Sequence, residues 1–223
     1  MTAPSGKSVL VVTGATFEAE IAAGCGVVTV CFGANPSRLR AFLNETDPKN
    51  FRAVISFGLA GGLDPALRPG HLLIADQVVG AGTFQANSDM NRVLQSALGG
   101  KIRRCHFSGV DTAVMTPQSK ATLRAATGAS AVDMETHVVA EFAERGHLPW
   151  GALRAVCDPA SRALPPLATA GLKPDGGIDF GATLKSLARN PLQIPALIRT
   201  GIDTAIAVAA LRRARGLLGA GFG

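Results

Sequence analysis

Two carboxylates close two apolar runs in the stretch from Ala131 to Asp158. The first run stops at Asp133-Met134-Glu135. A helix-like segment follows to Arg145-Gly146, and a second run, Gly151–Val156, stops at Cys157-Asp158-Pro159. Glu135 and Asp158 therefore stand where strands should end. In an open α/β sheet the ligand crevice lies outside the carboxyl ends of the strands. One carboxylate at such a crevice can accept from two hydroxyls of a polyol, and a second can hand a proton to a leaving group. Each also has an ordinary reading: Glu135 as an acid balancing a helix N-terminus, Asp158 as part of an Asp-Pro turn.

A third acid, Glu18, opens the helical segment after Thr13-Gly14-Ala15. Its neighbour Phe17 can wall a pocket from water, and burial of that kind raises a carboxyl pKa. Glu20, two positions on, should point elsewhere. The run Ala53–Phe57 leads into Gly58-Leu59-Ala60-Gly61-Gly62, read as a turn whose backbone N–H groups can approach an anion or a sugar. A tight turn needing positive φ is the plainer reading. No Gly-Lys-Ser/Thr follows, so this is not a Walker loop, and no G-x-G-x-x-G is present, which disfavours a dinucleotide-dependent oxidoreductase. Gly33-Ala34-Asn35 with Arg38 is a second candidate cradle for phosphate. The four histidines show no H-x-E or H-E-x-x-H spacing, so no metal is predicted.

The elements that must position these residues alternate. Strands are expected at Ser8–Val12, Val27–Phe32, Ala53–Phe57 and His71–Ala75, and helices at Phe17–Ala23, Arg38–Leu43 (capped by Ser37) and Pro117–Ala126. Gln77–Lys101 is mixed, broken by Gly80, Gly82 and Gly99-Gly100. Beyond Asp158 the prolines and glycines of Ala160–Gly177 predict a surface loop, followed by helices at Ala182–Ala188 and Pro195–Leu211. The order argues a single three-layer α/β domain over residues 1–223, a central mixed sheet flanked by helices.

Composition limits the partners. Aromatics are 5% of the chain and tyrosine is absent, which leaves little for base stacking, so no nucleic-acid partner is expected. No uninterrupted apolar run reaches the ~18 residues of a membrane span. The four cysteines form no C-x-x-C pair and read as reduced thiols of a cytoplasmic protein, Cys157 as a small buried neighbour of Asp158 rather than a nucleophile. Of the net +6 charge, most lies after Thr183, where Lys185, Arg189, Arg199, Arg212, Arg213 and Arg215 face the single acid Asp203. Two readings follow: the arginines complement a helix C-terminus, or the basic, aliphatic end meets anionic lipid at the inner membrane surface.

Taken in order, the strand with G-x-A-G-G-L, the segment Pro69–Asp76, Val132-Asp-Met-Glu135 and the strand ending in Asp158 resemble the nucleoside phosphorylase and nucleosidase superfamily, with the methylthioadenosine/S-adenosylhomocysteine nucleosidases as a close branch. The tail Arg162-Ala-Leu-Pro-Pro-Leu, Pro174-Asp-Gly and Asn190-Pro-Leu-Gln-Ile-Pro-Ala-Leu is similar to a narrower branch, the hopanoid-associated phosphorylases, whose proposed task is to remove adenine from adenosylhopane. The resemblance implies that Met134 packs on the ribose, Glu135 binds its two hydroxyls, Asp158 protonates the departing purine and Glu18 activates water. It implies a homodimer or larger homo-oligomer and no cofactor beyond phosphate as a co-substrate. Two departures stand out. Leu59 replaces a Ser or Thr that touches the nucleophile, and Val114 and Met115 stand where the nucleosidases carry a base-stacking Phe. The expected reaction is cleavage of the N-glycosidic bond of an adenosine-type nucleoside by phosphorolysis, with hydrolysis through Glu18 as the alternative. A non-catalytic nucleoside- or lipid-binding protein is the rival from another class.

Overall fold

Alternation along the first strands decides the layers. The computed structural model describes residues 6–99, 102–165 and 194–222. In β1 (Ser8–Thr13), Leu10 and Val12 point to one face while Val9 and Val11 point to the other, and all four are buried. β3 (Phe51–Gly62) repeats the pattern with Val54 against Ala53, Ile55 and Phe57. A strand apolar on both sides must be covered on both sides. One face receives α2 (Pro36–Glu45) and α5 (Thr136–Gly146) through Leu39, Leu43, Val138, Val139 and Phe142. The other receives α1 (Thr16–Ala22), α3 (Ser88–Leu98) and α6 (Ile194–Leu217) through Ala22, Leu94, Leu98, Ala207, Leu211 and Ala214. The helix α4 (Pro117–Thr127) stands apart, beside a small cluster of Leu63, Ala129 and Val132.

The sheet is mixed, as expected. Its order is β2 (Val27–Cys31), β1, β3, β7 (Ala131–Asp133), β6 (Ile102–Gly109), β4 (Leu72–Val79), β5 (Thr83–Gln85), and β8 (Trp150–Asp158) pairs with both β3 and β4. β1 and β8 run parallel to β3, whereas β7 runs antiparallel to it. Because β8 bridges β3 to β4 and β6 bridges β4 to β7, the strands β3, β8, β4, β6 and β7 close a ring.

Several boundaries differ from the sequence reading. The glycines after Phe57 are not a turn: β3 continues through them to Gly62. Asn35, not Ser37, caps α2, its Oδ1 accepting from Arg38 N at 3.0 Å with Pro36 at the first helical position. The mixed stretch holds β5 and α3, the latter capped by Asn87. α6 is 24 residues long and apolar enough to cross a membrane by length and composition, yet its inner face docks on β8. The helix expected at 182–188, the end of the predicted loop and the motifs from Pro174 and Asn190 fall largely outside the described residues.

Candidate functional site

One strand is the spine of the site. Along β3, Ser56, Gly58, Leu59 and Gly61 each meet a charged side chain of α1 or β8. In register, Gly58 lies opposite Arg154 of β8 and Gly61 opposite Asp158. β7 enters beside Gly62 and Gly61 running the other way, and so returns Asp133 and Glu135 toward Arg154. The two carboxylates singled out in the sequence thus end strands of opposite direction.

Glu18 is held by the backbone. It sits at the third position of α1 and its Oε2 accepts from Gly14 N at 2.8 Å and Ala15 N at 2.9 Å, while Oε1 accepts from Leu59 N at 2.8 Å. The bond to Ala15, the residue preceding the helix, is half of a capping box. Gly58, at φ +150°, is the floor beneath it: a Cβ there would stand 2.5 Å from the Glu18 carboxyl carbon. Of the segment foreseen as a cradle for an outside anion, the Leu59 N–H therefore holds the protein's own carboxylate instead. Burial pushes the Glu18 carboxyl above its ordinary value, against the opposing pull of Arg154 and of the three N–H groups. Glu20, two residues on, is exposed.

Arg154 is the cation at the centre. It is 1% exposed. Its Nη2 donates to Ser56 Oγ at 2.5 Å and to Glu135 Oε2 at 3.0 Å, and Nη1 donates to Leu59 O at 3.1 Å. Its Nε lies 3.1 Å from Asp133 Oδ2, an ion pair rather than an aligned hydrogen bond. Asp133 in turn accepts from Thr136 N at 2.8 Å and from Glu135 N at 3.2 Å, which fixes the first turn of α5. Thr136 Oγ1 closes the network onto Ser56 Oγ at 2.9 Å and onto Asp133. Three buried carboxyls, Glu18, Asp133 and Glu135, share one guanidinium. Burial first, and then the neighbouring Asp133 and Glu18 against the pull of Arg154, push the Glu135 carboxyl up to about 7. Gly14 makes room for it, since a Cβ there would meet Glu135 Oε1 at 2.9 Å.

Asp158 forms a second charged centre. Its Oδ2 is bonded by Lys120 Nζ, and its Oδ1 accepts from the Cys157 thiol at 3.1 Å. Burial raises the Asp158 carboxyl and Lys120 lowers it, with a net rise. Burial, and then the anionic neighbour, hold Cys157 well above the ordinary thiol range, so it is a donor to Asp158 and not a thiolate.

The remaining expected residues are placed as follows. Met134 is half-buried in the bend between β7 and α5. Ala60 is buried in β3, its carbonyl 3.5 Å from Cys157 Sγ. Val114 packs toward Leu63, Ala129 and Val132, and the Met115 carbonyl accepts from Leu164 N at 2.8 Å, tying the loop before α4 to the loop after Asp158. Gly33 adopts φ +64°, and its N–H bonds the Cys31 thiol. Arg38 is exposed on α2, its guanidinium 6.0 Å from the Phe32 ring centroid. Among the described residues no group of three or more His, Cys, Asp or Glu is arranged to hold a metal ion. Sequence reasoning missed Arg154, Asp133 and Lys120. Arg154 had a signal, a charge inside an otherwise apolar run; Lys120 had none.

A mixed sheet flanked by helices on both faces, with part of it closed into a ring, matches the fold of the nucleoside phosphorylase and nucleosidase class. A family model described as the phosphorylase superfamily matches residues 13–194, and the chain belongs to that superfamily. Among solved structures, a mutant of the Helicobacter pylori nucleosidase MTAN holding 5′-methylthioadenosine is similar with a TM-score of 0.66 at 13% identity, covering 94% of this chain and 98% of that one. A futalosine hydrolase mutant from the same organism gives 0.66 at 12% identity, with 95% and 99% covered. The Campylobacter jejuni 5′-methylthioadenosine/S-adenosyl homocysteine nucleosidase gives 0.62 at 13% identity, with 93% and 100% covered. At these identities the likeness is one of fold. No curated protein matches the chain.

Proposed function

We propose that the protein cleaves the N-glycosidic bond of an adenosine-type nucleoside and releases adenine, with water as the attacking group. The observation that carries this reading is the seating of Glu18 in the N–H nest of Gly14, Ala15 and Leu59. A carboxylate raised by burial is a base suited to deprotonating water. The same nest is closed to phosphate, whose charge would stand against Glu18, and Leu59 offers no hydroxyl in compensation. Glu135, beside Gly14 and fixed by Arg154, accepts from the ribose hydroxyls. Asp158, on the far side of β3 residues 58–61, serves the departing base. The transition state resembles an oxocarbenium ion, which the surrounding carboxylates stabilise.

Phosphorolysis is the second reading, and membership of the phosphorylase superfamily favours it. The tail motif adds that the nucleoside carries a triterpenoid 5′ substituent, as in adenosylhopane, and the bare outer face of α6 supports a site of work at a membrane surface. The four cysteines, read as reduced thiols, add a cytoplasmic location, and the family resemblance adds a homodimer or larger homo-oligomer.

The experiment is turnover of adenosine-type nucleosides, a lipid-linked one included, with and without phosphate, with the sugar product identified. Free ribose products at equal rates in both buffers, abolished by Glu18→Ala, are expected. Strict dependence on phosphate with a sugar 1-phosphate product replaces hydrolysis by phosphorolysis. No adenine in either buffer leaves a nucleoside- or lipid-binding protein.

A further inference from the structure

Lys120 is the only buried residue of α4. An ammonium has three donors and no acceptor, and all three are used here. One bonds Asp158 Oδ2, one Pro159 O at 3.0 Å and one Arg162 O at 3.1 Å. The side chains of the pair are 1% and 5% exposed. A buried lysine left unpaired would be costly, so the pair is needed for the fold. Its chemistry goes further. While Lys120 is an ammonium, Asp158 is a carboxylate with no proton of its own to give. The protons bonded to Asp158 are then those of the Cys157 thiol, which is held well above its ordinary range, and of the Lys120 ammonium. Removing one from the ammonium leaves a neutral amine with two N–H groups, and two backbone carbonyls stand ready to accept them.

We propose that Lys120 is the proton store of this site and supplies the leaving base through Asp158. The proposal rests on the nucleosidase reading above. As the glycosidic C–N bond breaks, its electron pair passes to the purine. Lys120 Nζ first passes a proton to Asp158, and Asp158 passes it on to a ring nitrogen of the purine as that electron pair arrives. Asp158 is a carboxylate before and after, and Lys120 ends as a neutral amine. The proton that Glu18 removes from water returns to Lys120 by way of solvent once the products leave, which closes the balance for hydrolysis. Lys120 does not touch the substrate and is a positioning residue acting through Asp158.

A lysine that only pins the Pro159–Arg162 backbone would behave differently. The test is adenine release by the full chain carrying Lys120→Met, Lys120→Arg, Asp158→Asn and the Asp158→Asn/Lys120→Met pair, with thermal melts of each. Arg keeps the charge and the donors but does not give up its proton, so it serves where the Met variant fails to fold. Both lysine variants should lose ~10²-fold in kcat with KM nearly unchanged, the size of a lost general acid. The double variant should be no slower than Asp158→Asn alone, because one proton path is lost once. Wild-type kcat in Lys120→Arg, a loss confined to KM, or additive losses in the double variant would overturn the proposal. Wild-type turnover by Asp158→Asn removes the acid and the store together, while absence of adenine release by the unmodified protein refutes the nucleosidase reading itself.

Discussion

At the scale of single residues, Glu135 couples the site to pH. Its folded-state value of about 7 lies above the ordinary 4.5, with burial as the main cause. Between those two values the folded chain holds a proton that the unfolded chain has released. Stability from this group is therefore full below the unfolded value and is lost as pH rises through 7. Glu18 and Asp158 are raised in the same direction. The protein should melt higher at pH 6 than at pH 8, and Glu135→Gln should shrink that difference. An unchanged difference in the variant would show that Glu135 does not titrate there. Residues of this kind are only partly legible in a sequence. Glu135 and Asp158 end apolar runs and can be singled out. Lys120 lies on a helix whose other residues are exposed or half-buried, and its partner is 38 positions away. Nothing local distinguishes it from a surface lysine.

At the scale of elements, β8 carries the charge that lets three acids coexist. Arg154 sits in mid-strand, buried, between Leu153 and Ala155. A charge inside a strand covered on both faces must be paired, so its role could have been inferred from Trp150–Asp158 alone. Which acids it meets could not, because that depends on β7 running antiparallel to β3. Arg154→Met should cost about 3–5 kcal/mol in urea unfolding, the usual penalty for stranding buried charge. The loss should be smaller at pH 6 than at pH 8, since protonation relieves Glu135 and Glu18, whose carboxyls burial raises. A variant as stable as the wild type at pH 8 would mean that Glu135 and Glu18 are neutral without the arginine. The sequence also shows most of the strands and helices through their apolar periodicity. It hides β6, where Arg103, Arg104 and His106 interrupt the alternation, and α3, whose buried side is only Asn91, Leu94 and Leu98. It also misplaces the end of β3, because glycines that admit carboxylates look like glycines that make turns.

At the scale of the whole molecule, α6 is the element whose surroundings do not match its composition. A helix apolar on all sides is normally buried. Here Ala207, Ala210, Leu211 and Ala214 face the core, while Ile194, Ile198, Ile202 and Ile206, spaced by four, are 42%, 58%, 56% and 45% exposed. Its one acid, Asp203, is buried against Arg162. Arg199, Arg212 and Arg213 are exposed, so the helix itself sets only positive charge beside its bare apolar stripe, with Glu20 of α1 near Arg212. That combination fits an anionic bilayer surface, with the helix lying on it and its inner face still on β8. Arg215 is excluded from this role. Its guanidinium bonds the carbonyls of Ala22 at 3.0 Å and Leu218 at 3.1 Å and lies 4.8 Å from the Phe222 ring centroid. It is the arginine that serves the helix C-terminus. Each of the three exposed arginines contributes about 1 kcal/mol near an anionic surface, and the isoleucines add apolar burial. The protein should therefore sediment with phosphatidylglycerol vesicles at low salt and be released at high salt. Arg212→Ser with Arg213→Ser should weaken binding, and Ile198→Ser with Ile202→Ser should weaken it further without altering adenosine turnover in solution. Recovery of the wild type in the supernatant at low salt would refute membrane contact. If light scattering then gives a dimer that Ile202→Asp dissociates, the stripe belongs to a second copy of the chain.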